Sequence, residues 1–280
     1  MGPAWLFLGF ALGCAPRPPD RPTSPEDPRP SPSAIDVKAS SSADALVAAP
    51  PAEESIAPPE VTSPTADATA IEPTPLPVSM RVGFEKAVWV LQGKTTTPII
   101  YLHGRCGDPK AFTAFSRAAA STGTLVSFVG DQACKDGSRS KWSGDVVGLD
   151  KRITRTLAHL SGELKIDLTE APRIAMGYSQ GALMAEALGT RFPERYPRVV
   201  LIGGPRAPKP QSLEKSAAIL FMAGDKDARL HLRDASNDFK NRGKNARYTE
   251  LPGARHGEYG EEAERVMREA FDWLLSPAAP

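Results

Sequence analysis

The pentapeptide Gly177-Tyr178-Ser179-Gln180-Gly181 follows the apolar run Arg173–Gly177 and opens a helical stretch near 180–191. A strand-to-helix turn this tight forces its central residue into strained backbone dihedrals, and flanking glycines remove Cβ atoms that would clash. Ser179 is then presented at a sheet's carboxyl edge, at the head of a helix whose dipole favours developing negative charge. Its placement, where a strand ends and a helix begins, matters more than the five-residue pattern itself.

The rest of the chain beyond Met80 agrees. Short β-rich runs fall at Ala87–Leu91, Pro98–Leu102, Thr124–Val129, Arg173–Gly177, Arg198–Ile202, Ala218–Met222 and Ala246–Leu251. Several are apolar throughout, as expected of strands covered on both faces. Helical stretches near 110–121, 145–162, 180–191, 229–241 and 258–275 alternate with them. The last places Val266, Phe271, Trp273 and Leu274 on one side of a charged helix, an apolar stripe suited to core packing. Alternation of this kind predicts an α/β architecture: a mostly parallel sheet with helices on both faces and no large lid domain.

The first eighty residues read differently. From Ala15 to about Val78, Pro, Ser, Ala, Thr and acidic residues dominate. Such a segment cannot bury enough apolar surface to offset its ordering entropy. We therefore expect residues 15–80 to be a disordered tether and residues 81–280 to form the folded domain. The opening run, Trp5 to Leu12 and on to Cys14, is too short to span a bilayer but suits the apolar core of a secretory signal. Ala11-Leu12-Gly13-Cys14 resembles the end of a bacterial lipoprotein signal, with Cys14 as the lipidated residue of segment 1–14. No Lys or Arg precedes the run, and Ala11 stands where such signals usually carry Leu. The expectation is export to a bacterial cell envelope, periplasmic or membrane-anchored through Cys14. A net charge of +1 with interspersed signs gives no nucleic-acid surface.

Setting Cys14 aside leaves Cys106 and Cys134. In an oxidising compartment they would close a loop of nearly thirty residues, a constraint of roughly 3–4 kcal/mol in the chain-entropy model. Two separate buried thiols are the alternative. No Cys or His spacing suggests a zinc site.

Three further loops carry chemistry. His103-Gly104-Arg105 follows the apolar strand Pro98–Leu102; His103 is better read as organising that loop than as a base. Ala223-Gly224-Asp225-Lys226-Asp227 follows Ala218–Met222. A carboxylate there can orient a histidine; Asp227 is favoured by its spacing from Gly224, with Asp225 as the fallback, and either could instead cap the next helix. His256, in Pro252-Gly253-Ala254-Arg255-His256-Gly257, lies in a glycine-rich loop able to reach the sheet edge. His159, on a helical stretch, and His231, only four residues past Asp227, are poorer bases.

Leu102-His103-Gly104, the Ser179 pentapeptide, the Asp227 loop and His256 together make the chain resemble the α/β-hydrolases. Within these it is most similar to the carboxylesterase, phospholipase and acyl-protein-thioesterase branch, over about residues 85–276. The resemblance implies a serine hydrolase acting on a small-molecule ester or acyl substrate without cofactor or metal. Its implied oxyanion hole is the backbone N–H pair of Arg105 and Gln180, with Ser179 as nucleophile, His256 as base and Asp227 as the orienting acid. Arg105-Cys106 departs from the small or apolar residues that relatives tend to carry. A peptidase of the same fold, and a non-catalytic envelope protein that kept it, are the rival expectations.

Overall fold

The computed structural model describes residues 74–83, 85–135 and 137–276. The expectations for segment 1–14, for Cys14 and for residues 15–73 of the tether therefore lie outside the described residues.

Among the described residues ten strands form, in chain order: β1 Val78–Met80, β2 Val88–Leu91, β3 Pro98–Leu102, β4 Thr124–Phe128, β5 Gln132–Ala133, β6 Ser140–Lys141, β7 Ile174–Tyr178, β8 Arg198–Ile202, β9 Ala218–Gly224 and β10 Ala246–Leu251. Eight make one sheet, ordered β1-β2-β4-β3-β7-β8-β9-β10, while β5 and β6 pair as a separate ribbon. From β4 to β10 every pairing in the large sheet is parallel; β1 and β2 join its edge antiparallel. The mostly parallel sheet expected from the sequence is present.

Period-two alternation explains why these strands read as continuous apolar runs. On β3, Ile100 and Leu102 enter one core and Ile99 and Tyr101 the other. The first core is closed by α2 (Val146–Leu164), α3 (Gln180–Arg191) and α4 (Leu230–Asn241), the second by α1 (Ser116–Thr122) and α5 (Ala263–Leu275). Each face of the sheet must bury its own apolar set, so helices on both sides follow from the strand composition. Helix α2 begins where the Asp145 carboxylate accepts the Gly148 N–H at 2.9 Å, satisfying a donor that no turn of the helix reaches.

Four features differ from the sequence expectation. Strand β1 lies inside the segment read as tether, so the sheet starts at Val78 rather than after Met80; three residues pairing with β2 leave too short a pattern to read. The helix expected over 110–121 is a 3₁₀ turn, Ala111–Phe115, followed by α1. The tighter turn brings Phe112 and Phe115, three residues apart, onto one buried face. Helix α5 begins at Ala263, because residues before it are spent in a turn through Gly257 and Gly260, both at positive φ. The β5–β6 ribbon has no counterpart in the sequence reading: each strand is two residues long, with Gln132 and Ala133 exposed, Ser140 buried and Lys141 half-buried, too short for any alternation to show.

Candidate active site

The parallel strands end together, and the loops after β3, β7, β9 and β10 meet at their carboxyl edge. Strand β7 runs into Ser179, which caps α3 with φ 51° and ψ −113°. That strain is held by close backbone packing on both sides. A Cβ on Gly177 would lie 2.0 Å from the Gly181 carbonyl oxygen, and one on Gly181 would lie 1.9 Å from that of Leu102. The two glycines are required by contact. The Ser179 N–H donates to Ile202 O at 2.8 Å, tying the turn to β8.

His256 arrives from the loop after β10. Its Nε2 stands 3.1 Å from Ser179 Oγ, and its Nδ1 stands 2.8 Å from Asp227 Oδ2. Asp227 Oδ1 accepts the Ala228 N–H at 2.7 Å, which fixes the carboxylate plane. The aspartate side chain is 9% exposed while the imidazole is 51% exposed, so the chain of bonds runs from a shielded carboxylate to an accessible hydroxyl. Asp225, the fallback, does not meet His256; its N–H pairs with Leu251 O and its Oδ1 is buried without a partner among the described residues. His159 is exposed on α2, and His231 Nε2 binds Gly204 O at 2.7 Å. Neither reaches Ser179.

Gly104 packs directly on the serine, a Cβ built there falling 3.4 Å from Ser179 Cβ. The backbone N–H groups of Arg105 and Gln180 donate to no carbonyl among the described residues. Between these loops opens a cavity of about 140 Å³ whose walls include Tyr101, Arg105, Tyr178, Ser179, His256 and Tyr259. Among the described residues no group of three or more His, Cys, Asp or Glu side chains is placed to hold a metal ion.

His103 is fully buried and faces the loop interior. Its Nδ1 bonds Gly104 O at 2.7 Å, while Nε2 accepts the Gly130 N–H at 3.0 Å and meets Ser140 Oγ at 3.1 Å. Burial lowers its pKa below the ordinary value of 6.5. Protonation would also turn the Nε2 acceptor into a donor aimed at an N–H. The neutral ring therefore favours the folded state fully above about pH 6.5, and this contribution is lost as pH falls from there through the folded-state pKa. We expect the Tm to drop between pH 7 and pH 5 more steeply in the native protein than in His103→Asn, measured by a pH series of thermal melts.

Two contributors to the site are not legible in the sequence. The Tyr178 hydroxyl accepts the Gly257 N–H at 2.7 Å, and its ring packs edge-on to His256 with centroids 5.5 Å apart. The residue before the serine thus fastens the loop that bears the histidine. The Gln180 side chain does not enter the cavity; it pairs with the Trp142 backbone, accepting from its N–H at 3.1 Å and donating to its carbonyl at 3.0 Å. Neither contact has a local sequence signal, since the partners lie 79 and 38 residues apart. Cys106 and Cys134 are joined in a disulfide, with Cα atoms 6.0 Å apart.

No family model matches the sequence, and no curated protein matches it either. Solved structures do. A carboxylesterase from Mesorhizobium loti superposes with a TM-score of 0.51 at 17% identity, over 69% of this chain and 98% of that one. Esterase PE8 gives 0.50 at 18% identity, over 66% of this chain and 97% of that one. A carboxylesterase, CesB, from Bacillus subtilis gives 0.50 at 15%, over 72% and 92% respectively. At these identities the likeness is one of fold: the chain has the α/β-hydrolase fold, which hosts many chemistries.

Proposed function

We propose that the protein is a serine hydrolase that cleaves carboxylic ester or thioester bonds through an acyl-enzyme. The observation that carries this reading is the continuous chain Ser179 Oγ, His256 and Asp227, with links of 3.1 and 2.8 Å, built on a strained turn at the sheet edge. Ser179 Oγ attacks the substrate carbonyl carbon as His256 Nε2 takes its proton. The oxyanion is held by the N–H groups of Arg105 and Gln180, fixed dipoles that need no reorganisation as charge develops. Asp227 keeps Nδ1 protonated and stabilises the imidazolium. His256 then protonates the departing alcohol or thiol; water repeats the sequence and frees the acid.

The names of the esterases that share the fold support ester substrates. The cavity of about 140 Å³ beside Ser179 suits a small acyl group, and the half-exposed His256 suits an open site. Export belongs to the same proposal, because a disulfide such as Cys106–Cys134 persists in oxidising compartments. Anchoring through Cys14 would hold the enzyme at a membrane.

A panel of p-nitrophenyl esters tests the substrate reading. Acetate to butyrate esters are expected to give kcat/KM values at least tenfold above octanoate and decanoate esters. A folded protein that hydrolyses none of them, or that prefers the long chains, contradicts it.

A further inference from the structure

The β5–β6 ribbon makes contact with both sides of the serine turn. On the β3 side, the Cys106 N–H donates to Ser140 O at 2.8 Å, Arg139 Nη1 donates to Cys106 O at 3.3 Å, and the disulfide fixes Cys106 to Cys134. Cys106 needs such a hold. It has φ 54°, a left-handed conformation that a non-glycine side chain resists, and it directly follows Arg105. On the α3 side, Trp142, the residue after β6, is locked to the Gln180 side chain by the paired bonds described above. The two sides are joined in the middle. Trp142 Nε1 donates to His103 O at 2.8 Å, and Ser140 Oγ reaches His103 Nε2.

We infer that the ribbon and its disulfide are the positioning device for the oxyanion hole, holding the Arg105 and Gln180 N–H groups at a common distance from Ser179. This rests on the proposed acyl-transfer chemistry and assigns positioning roles to Cys106, Cys134, Trp142 and the Gln180 side chain. None of these contacts touches His256 or Asp227, which are held from β9, β10 and Tyr178. Loss of the bridge should therefore weaken transition-state binding while leaving the nucleophile and base paired. A displacement of about 1 Å in such donors can cost on the order of 100-fold in rate.

The test compares the full chain with Cys106→Ala/Cys134→Ala at a temperature well below both melting points. Three quantities are read: kcat, KM on p-nitrophenyl acetate, and the Ki of an alkyl trifluoromethyl ketone. Ser179 Oγ adds to the carbonyl carbon of this ketone, its proton passing to His256 Nε2, and the C=O π pair becomes a hemiketal oxyanion that needs the oxyanion hole. The expected result is a kcat loss of about ten- to 100-fold with KM within threefold, and a Ki raised in proportion to the loss of kcat/KM. A role in stability alone would lower Tm and leave kcat and Ki where they were. That outcome overturns the inference. Should the double variant fail to fold, Gln180→Met removes both Trp142 bonds while keeping the backbone donor, and the same three readings apply with the same expectation. A native protein inert toward both ester and ketone would instead remove the acyl-transfer reading beneath the inference. An active native protein with unaltered variants sinks the inference alone.

Discussion

Ser179→Ala is expected to lower kcat on p-nitrophenyl acetate by about 10⁴- to 10⁶-fold, leaving only what binding and the oxyanion donors supply without a nucleophile. The fold should survive it. Ser179 Oγ makes one side-chain bond among the described residues, to His256 Nε2, and alanine meets the same φ of 51° that serine already tolerates. The turn is held from outside, by the Ser179 N–H on Ile202 O and by the contacts of Gly177 and Gly181. Thermal melts of the two proteins should agree within about 1 kcal/mol of stability, with the variant at or above the native value, since catalytic groups are seldom optimal for stability. Activity lost without stability lost is the signature of a group that reacts rather than one that packs.

The second large effect acts through the backbone. Gly181→Ala should cost about 3 kcal/mol or more and lower Tm by roughly 6–12 °C, as read from calorimetry. Two terms oppose each other here. Alanine is the better helix former by about 1 kcal/mol, which favours the variant. Against this, its Cβ would sit 1.9 Å from Leu102 O and 2.7 Å from His103 O, both backbone atoms of the β3 end that cannot rotate away. The clash wins, because relieving it means sliding α3 off the sheet. Ser179 and Gln180 would travel with the helix, so kcat should fall by about 100-fold as well. Gly162→Ala is the control for the helix term. Gly162 lies in α2 with nothing within 4 Å of a built Cβ, and the change should stabilise by up to about 1 kcal/mol. Equal effects at the two positions would show that the close approach of α3 to β3 is unimportant.

The parts legible in sequence were those with a local physical cause. The seven β-rich runs correspond to β2, β3, β4, β7, β8, β9 and β10; the central ones are the plainest, because burial on both faces writes itself into consecutive apolar residues, whereas β10, with Arg247 and Glu250, is only partly buried. The serine turn was legible because its backbone clashes require Gly177 and Gly181 at fixed offsets from Ser179. Asp227 and His256 stand out through their place after late strands, and the structure puts His256 beside Ser179 and Asp227 beside His256, while Asp225 meets neither. Illegible were the contacts that depend on distant chain segments meeting. Nothing near Tyr178 announces that its hydroxyl receives the Gly257 N–H, and nothing near Gln180 announces Trp142. The β5–β6 ribbon left one trace, Cys134, whose pairing with Cys106 was readable while the strands around it were not. His103 showed the converse. Its loop-organising role was legible from its position after β3, but its partners Gly130 and Ser140 were not.

The central claim is that Ser179 is a nucleophile activated by His256, and fluorophosphonate labelling of the full native chain tests it most directly. Intact-mass and peptide-mass spectrometry should find one adduct per chain, on the peptide containing Ser179, and none in Ser179→Ala. A folded native protein that takes no label, or a label that persists in the variant on another residue, would contradict it.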